Sequence, residues 1–565
     1  MVFRLFTLFL LFTLPFFCFS QENAKTNYRS PLGIPLVLAA NFGELRPNHF
    51  HMGLDFKTNG VEGLPLYAIE EGYVARIKIS PYGYGKAIYI NHPNGITSVY
   101  AHCSSFKGKL DSIVKAVQEK EQNFEIELFF VPTDIPIEKG DIIALSGNTG
   151  GSTAPHLHFE LRDTKTEEAM NPLVYGFEIQ DHKPPTIKGL KVYALTDEGY
   201  QIPGKSQIVS VSKANNEYHI AGDLLTIPSD YCSEHGGIGF AFEVVDQFDA
   251  ADNICGLYKS VLKSGNDTIF RQQIDKVAFD HSRYINSHKD YHEYTVNKRK
   301  FHKSFKTEHN PLAIYPTSDL GIIKINPGDK LSLSYYAQDV KKNKSNLNFN
   351  VLVSEGKMNI SKSNFPSWAY FYPDSTIQFK NDKIEFSAQV HTFYEPTKKN
   401  LSLVAPFSFG DPTQPIQYPV IVKLKLPLSK VELSKYYINV TSSGGKNHAL
   451  QSTINGDWIT AESDHLGTFK IRVDTIAPSI SPLNFKPTES TKGKTRYSWK
   501  VNESQTELVD YDLFIDGKWY LLEYESKGDY VFFDKPKGFI GKHKVEIIVK
   551  DSCGNLRKWT NDLVF

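Results

Sequence analysis

The sequence predicts a mainly β protein built from several domains. Three observations point that way. Phe and Tyr are abundant, at 38 and 30 copies, and aromatic side chains suit the half-buried surface of a pleated sheet. Gly and Pro recur along the chain and set many turns between short apolar runs. The 565 residues are enough for roughly three or four domains at ~150 residues each. The formal net charge is zero, so the charge balance does not point to nucleic acid or to an anionic membrane surface as a partner.

Residues 1–20 read "MVFRLFTLFLLFTLPFFCFS". A basic Arg4, an apolar run from Leu5 to Phe17 and a small Ser20 before polar residues form a secretory signal pattern. The run is short for a bilayer span, which needs about 20 apolar residues. The expected mature chain is exported, to the periplasm or the cell surface, with no transmembrane segment. Four cysteines remain after cleavage: Cys103, Cys232, Cys255 and Cys553. Their spacing matches neither a disulfide-dense scaffold nor a zinc ribbon. A Cys232–Cys255 disulfide and two separate buried thiols both remain open.

Residues 21–180 form the expected first domain. "EGYVARIKIS" has strand composition, and "GKAIYINHPNGITSVYAHC" is a hairpin turning at Asn94-Gly95. Leu110, Ile113, Val114 and Val117 follow at helical spacing. This helix belongs to an insertion at about 104–135, placed to wall one side of a groove. "IPIEKGDIIALSGNTGGS" then supplies a strand and a Gly-rich loop.

From Pro184-Pro185 the chain becomes strand-rich. Punctuation near "NISKSNFPSW" and at "VDTIAPSI" divides it into a β-sandwich region at 181–355, a β-sandwich module at 356–474 and an immunoglobulin-like β-sandwich module at 475–565. "SYYAQDVKKNKSNLNFNVLV" and "VEIIVKDSCGNLRKWTNDLVF" both read as strand, Asp-containing turn with Asn, then strand. This hints at modules of related type, although Asp and Asn favour such turns anyway.

Chemistry concentrates in the first domain. In "APHLHFELRD", Leu157, Phe159 and Leu161 alternate with His156, His158, Glu160 and Arg162, so the two sets point to opposite faces of a strand. A polar face opposite an apolar one is ordinary for an antiparallel sheet, and a His-x-His pair alone reads as a solvated face. "NHFHMGLDF" adds His49, His51 and Asp55, and "VYAHC" adds His102. His51 and Asp55 flank Gly53, where a bend can bring both side chains to one ion. Zinc takes neutral imidazole and carboxylate, and a catalytic site keeps one position for water. Either member of the His156/His158 pair can complete such a site while the other stands beside the water. His92 precedes a Pro-Asn-Gly turn and reads as a turn residue.

"HMGLDF", "YAH" and "SGNTGGSTAPHLHFEL", in that order, resemble the lysostaphin/LytM-type zinc metallopeptidases. The resemblance covers about Pro31 to Gly176. It implies a compact antiparallel β catalytic domain of the duplicated hybrid motif type. It also implies Zn2+ held by His51, Asp55 and His158, with His102 and His156 as non-ligand catalytic histidines. The implied activity is hydrolysis of stem-peptide or cross-bridge bonds in peptidoglycan, with peptidoglycan peptides as the partner. Which of His102 and His156 is the general base is not readable from sequence. His49 has no assigned part, and Arg46 gets none from the resemblance. Two other readings are a non-catalytic LytM-like activator of cell-wall hydrolases and a secreted β-sandwich adhesion protein. The first normally shows a missing ligand, and none is missing; the second does not explain the histidines. A protein partner is expected, if anywhere, on the C-terminal β modules.

Overall fold

A computed structural model describes residues 27–215, 217–358, 364–427, 431–487 and 493–565. The expected signal segment, residues 1–20, lies outside the described residues. The first domain centres on one antiparallel sheet. Its main elements are β1 (Leu38–Ala40), β2 (Leu54–Lys57), β3 (Gly72–Ile79), β4 (Lys86–Asn91), β5 (Ile96–Cys103), α1 (Lys109–Glu121), β6 (Ile126–Phe129) and β7 (His156–Asp163). The spatial order is β1-β2-β7-β5-β4-β3-β6.

The β4–β5 hairpin turns at Asn94-Gly95. Gly95 has φ +79°, a conformation that glycine adopts without a Cβ penalty. β7 lies between β2 and β5, with His158 opposite both Asp55 and Ala101. Its two faces are both covered. Leu157, Phe159 and Leu161 are fully buried, and so is Glu160 on the polar face. The polar face is therefore not solvated, unlike that of an ordinary antiparallel sheet.

Helix α1 buries Leu110 and Val114. After it, β6 adds to the edge of β3, at the far end of the sheet from β2 and β7. β6 thus lies away from the histidine cluster, whereas Asp111, Val114 and Lys115 of α1 line a cleft together with Asn148 and Thr149, the residue that holds His102. An open edge on β3 offers unpaired backbone groups, and β6 satisfies them.

The second region contains β8 (Thr186–Thr196), β9 (Gln201–Ala214), β10 (Gly236–Val245), β11 (Lys259–Ser264), α2 (Ile285–His288), α3 (Tyr291–Thr295), β12 (Lys330–Gln338) and β13 (Lys344–Val353). Strand β9 is 14 residues long. It pairs with β8 along one part and with Glu217–Ile220 along the other, so one strand serves both layers. The short helices α2 and α3 were not foreseen in a strand-rich stretch. A local signal exists for α3: the Asp290 side chain accepts from the Glu293 N–H at 3.0 Å, an N-cap. One contiguous hydrophobic core runs from Leu32 through Val353 and takes in Tyr394, so the first domain and the second region pack together.

Residues 377–473 supply two five-stranded sheets around a separate core that includes Phe386, Phe409 and Ile438. The last residues form two four-stranded sheets around Trp499. They include β14 (Ser479–Pro482), β15 (Arg496–Asn502), β16 (Glu523–Glu525), β17 (Tyr530–Asp534), β18 (Lys542–Asp551) and β19 (Leu556–Val564). Cys103, Cys232, Cys255 and Cys553 are all buried free thiols, which closes the question of a Cys232–Cys255 bridge. Among the described residues, no helix is long and apolar enough to cross a membrane.

Candidate metal centre

Backbone pairing positions the three donors. His51 sits at the end of a small hairpin, held by Gly43 N–H to His51 O at 2.9 Å and His51 N–H to Glu44 O at 3.0 Å. Buried Phe42, Leu45 and Phe50 anchor it. The chain then passes Gly53, where a Cβ would lie 2.4 Å from Phe159 O and 2.9 Å from Glu160 Cγ. Only glycine lets this segment lie so close to β7. Asp55 on β2 directly faces His158 on β7.

The donor atoms form a nearly equilateral triangle. His51 Nε2 is 3.0 Å from Asp55 Oδ1 and 3.1 Å from His158 Nδ1. His158 Nδ1 is 2.9 Å from Asp55 Oδ1. Three ligands at ~2.0–2.2 Å from one ion are separated by about 3 Å or slightly more, so the triangle suits a small cation.

The other ring nitrogens set the tautomers. His51 Nδ1–H donates to Asn41 O at 2.8 Å, which leaves Nε2 as a lone pair. His158 Nε2–H donates to Glu160 Oε1 at 2.8 Å, which leaves Nδ1 as a lone pair. Outer partners of this kind orient metal-binding imidazoles and raise their basicity. The cluster calls for positive charge. Burial would raise the Asp55 pKa, but His51, His156 and His158 hold it well below the usual carboxylate range. Burial would lower the His158 pKa, but hydrogen bonds and charge from Asp55 and Glu160 raise it to about 9.

Glu160 is the centre of a buried network. It accepts from Arg162 Nε at 2.6 Å and from Tyr84 OH at 2.5 Å as well as from His158. Phe279 of the second region lies 4.2 Å from the Arg162 guanidinium carbon. Burial would raise the Glu160 pKa, yet Arg162 and the hydrogen bonds bring it down to about 2. The carboxylate therefore stays ionised behind His158.

His102 and His156 flank the triangle, with ring centroids 4.7 Å apart. His102, next to last in β5, has φ +60°, a sparsely populated conformation for a residue with a Cβ. Its Nδ1–H donates to Thr149 O at 2.8 Å. Burial, with His158 and His156 nearby, lowers its pKa to about 3, so Nε2 is a free acceptor at neutral pH. His156 donates Nδ1–H to Ala154 O at 2.8 Å, and its Nε2 lies 3.4 Å from Asp55 Oδ1.

The five sequence-selected residues, His51, Asp55, His102, His156 and His158, thus come together. His49 is exposed on the turn. His92 is structural, bonded to Glu71 O and Ser98 Oγ. Arg46 reaches Asp55 Oδ2 at 3.5 Å, beside the cluster. Asn41, Tyr84, Glu160 and Arg162 went unassigned in the sequence. For Glu160 and Arg162 the signal was their place on the histidine face of β7.

Residues 49–119 match the profile of peptidase family M23. The chain carries an M23 peptidase domain. The matched segment includes His51, Asp55 and His102 and stops inside α1, within the insertion. The M23 domain is similar to an uncharacterized metalloprotease of Haemophilus influenzae, at 34% identity over 131 residues, 23% of this chain and 21% of that protein. It is also similar to the DD-carboxypeptidase/endopeptidase Mpg of Neisseria meningitidis, at 32% identity over 112 residues, 20% of each chain. Among solved structures, it resembles the catalytic domain of lysostaphin from Staphylococcus simulans. That match is 25% identical and covers 24% of this chain and 90% of that one, with a TM-score of 0.19. The chain spans about a fifth of the length of the curated relatives it matches. M23 peptidases are metal-dependent, and the His51–Asp55–His158 cluster stands where the metal of an M23 domain is expected.

Proposed function

We propose that this protein is a zinc endopeptidase that cuts peptide bonds in peptidoglycan and is exported by its first 20 residues. The observation that carries the proposal is the convergence of His51 Nε2, Asp55 Oδ1 and His158 Nδ1 within 3.1 Å of one another, with both imidazole tautomers fixed from behind. Two imidazoles and one carboxylate, with a further position open, form a donor set suited to catalytic zinc.

When bound, zinc polarises a scissile carbonyl and makes water nucleophilic near neutral pH. The protein's own groups do the rest. His102, neutral and held by Thr149 O, presents Nε2 as a hydrogen-bond acceptor in the groove. His156 stands across from it, oriented by Ala154 O, and the pair can pass a proton from water to the leaving amine. Glu160 keeps the His158 ring turned and its Nδ1 lone pair facing the triangle. Substrate reaches these groups along a cleft of about 740 Å3 beside Arg46, Asp55 and His156, within the range of ligand sites. Ala250, Asn253 and Ile254 of the second region form its other wall.

The test is digestion of purified peptidoglycan by the zinc-loaded protein, with products identified by mass spectrometry. Stem-peptide or cross-bridge fragments are expected, and they should be lost with His158→Ala or with a chelator. A zinc-loaded chain that releases no such products, yet stimulates a separate wall hydrolase, would overturn the enzyme reading in favour of an activator.

A further inference from the structure

Two further acidic triads lie outside the M23 site: Asp181–Asp246–Asp339 and Asp474–Glu503–Asp551. Within each, one side-chain oxygen per residue lies within 4.8 Å of the others. They occupy equivalent places in two modules. Asp181 and Asp474 each precede a proline by four residues, Pro185 and Pro478. Each accepts at Oδ1 from the N–H two residues on, Lys183 at 3.1 Å and Ile476 at 3.0 Å. The residue after each proline opens the first strand, and it pairs with the last residue of the neighbouring strand: Thr186 with Val245, and Ser479 with Asn502. Asp246 and Glu503 come next in sequence. Asp339 and Asp551 follow β12 and lie at the end of β18, and each holds an Asn four residues on. In both turns the Asn amide donates to that Asp Oδ2 and to the carbonyl of the linker Asp. The distances are 2.7 and 3.1 Å for Asn343 and 2.9 and 3.1 Å for Asn555.

The two frames differ in how their charge is met. In the C-terminal triad, Thr506 Oγ1 covers Asp474 Oδ2 at 2.9 Å, and three consecutive N–H groups cap Glu503. In the first triad, Asp181 is 6% exposed and its Oδ2 has no hydrogen-bond partner. Asp181 and Asp339 approach within hydrogen-bonding reach of each other, a contact that requires a shared proton or a cation between them. Asp246 is 2% exposed and accepts from the Gln247 N–H. Among the described residues, none of the three forms an ion pair. Buried carboxylates this close cannot all be ionised without a cation. Burial first, and then their mutual charge, pushes Asp246 up to about 8 and Asp181 up to about 6.

We propose that Asp181, Asp246 and Asp339 bind Ca2+ at the joint between the M23 domain and the second region. The donors are all oxygen, which selects a hard cation, and Asp181, whose Oδ2 meets no N–H or O–H donor, is one of them. The ion would fasten the loop that follows Asp246. That loop is already tied by two backbone hydrogen bonds between Asp246 and Cys255, at 3.1 and 2.8 Å. Its next residue, Gly256, exchanges two hydrogen bonds with the Asn41 side chain, at 2.9 and 2.7 Å. Asn41 O is the acceptor for His51 Nδ1–H, and Ala250, Asn253 and Ile254 of the loop line the cleft. Calcium would thus set the cleft wall and brace His51. This consequence rests on the peptidase reading, whereas binding of the ion does not.

The experiment uses the full chain, stripped of metals, reloaded with zinc and then equilibrated with CaCl2 at ~1 mM, the weak end of known calcium sites. Calcium and zinc contents are measured separately, together with thermal unfolding. The wild type should take up calcium and unfold a few degrees higher with it. Asp246→Asn and Asp181→Asn should each lose one calcium per chain and that shift while keeping zinc. His158→Ala should do the reverse, losing zinc and keeping calcium, so failure of one reading is separable from failure of the other. Absence of calcium in the wild type would overturn the proposal, as would undiminished calcium in Asp246→Asn. So would an Asp246→Asn protein more stable than wild type at every calcium level, which would mark a triad that simply shares protons.

Discussion

Replacing Glu160 by Gln removes one charge from a fully buried site and should produce two separable losses. The carboxylate accepts from Arg162 Nε, Tyr84 OH and His158 Nε2–H, all within 2.8 Å. Gln retains one acceptor oxygen, and its amide turns a donor toward another donor. Arg162, 5% exposed, keeps only the distant, exposed Glu167 carboxylate at 3.8 Å, and loss of its buried partner costs up to about 3–5 kcal/mol. His158 loses its anionic outer partner, which lowers metal affinity by about 10- to 100-fold. Urea unfolding of the metal-free proteins reads the first loss, and chelator competition reads the second. The double variant Glu160→Gln/Arg162→Met removes the stranded guanidinium, so it should recover most of the stability and none of the metal affinity. The acid limb follows from the depressed Glu160 pKa of about 2. Its stabilisation is present above the unfolded value of ~4.3 and fades as pH falls toward 2, so wild type and Glu160→Gln should converge there. A Glu160→Gln protein within 1 kcal/mol of wild type (about the size of a single neutral hydrogen bond), with unchanged metal affinity, would refute the network argument.

Gly53→Ala should destabilise the M23 domain by about 1–3 kcal/mol through overpacking and weaken metal binding, because its Cβ would meet Phe159 O at 2.4 Å; unfolding and metal titration both check this. Lys289 is buried, donates to Arg46 O and Pro47 O at 2.6 Å, and has its pKa lowered by burial to about 7. The unfolded chain therefore binds the extra proton between about pH 7 and 10, and stability should rise with pH there by roughly 1.4 kcal/mol per unit relative to Lys289→Met. A flat difference between the two urea curves would contradict that. Glu523→Lys should loosen the C-terminal module from the turn at residues 80–86 of the M23 domain. There Glu523 pairs with Lys86 at 2.8 Å and Ser526 Oγ donates to Pro81 O at 2.6 Å. Faster hydrogen exchange in residues 80–86 is the expected sign.

Much of the site was legible because its geometry is local. His156 and His158 fall on one face of any strand, and Gly53 lets His51 and Asp55 bend together, so their spacing carried the chemistry. The Asn94-Gly95 turn and the likeness of the two Asp-x-x-x-Asn turns were equally local. Other features depended on residues distant in sequence. Alternation showed that Glu160 and Arg162 share the histidine face but not that Tyr84 and Phe279 close over them, which turns a surface pattern into a buried ion pair. Helix α3 carried a cap signal too short to stand out among strands. The insertion was visible, but its destination was set by the free edge of β3.

The sequence by itself determined which donor types were available and their order along two strands and a bend, because backbone periodicity fixes which side chains share a face. Tertiary structure alone decided what stands behind and across from them. Asn41 O and Glu160 choose the imidazole tautomers, and the loop after Asp246, some two hundred residues from His51, forms the opposite wall. Side-chain periodicity reaches only a few residues along the chain, whereas burial, tautomer and cleft shape depend on which distant surfaces pack together.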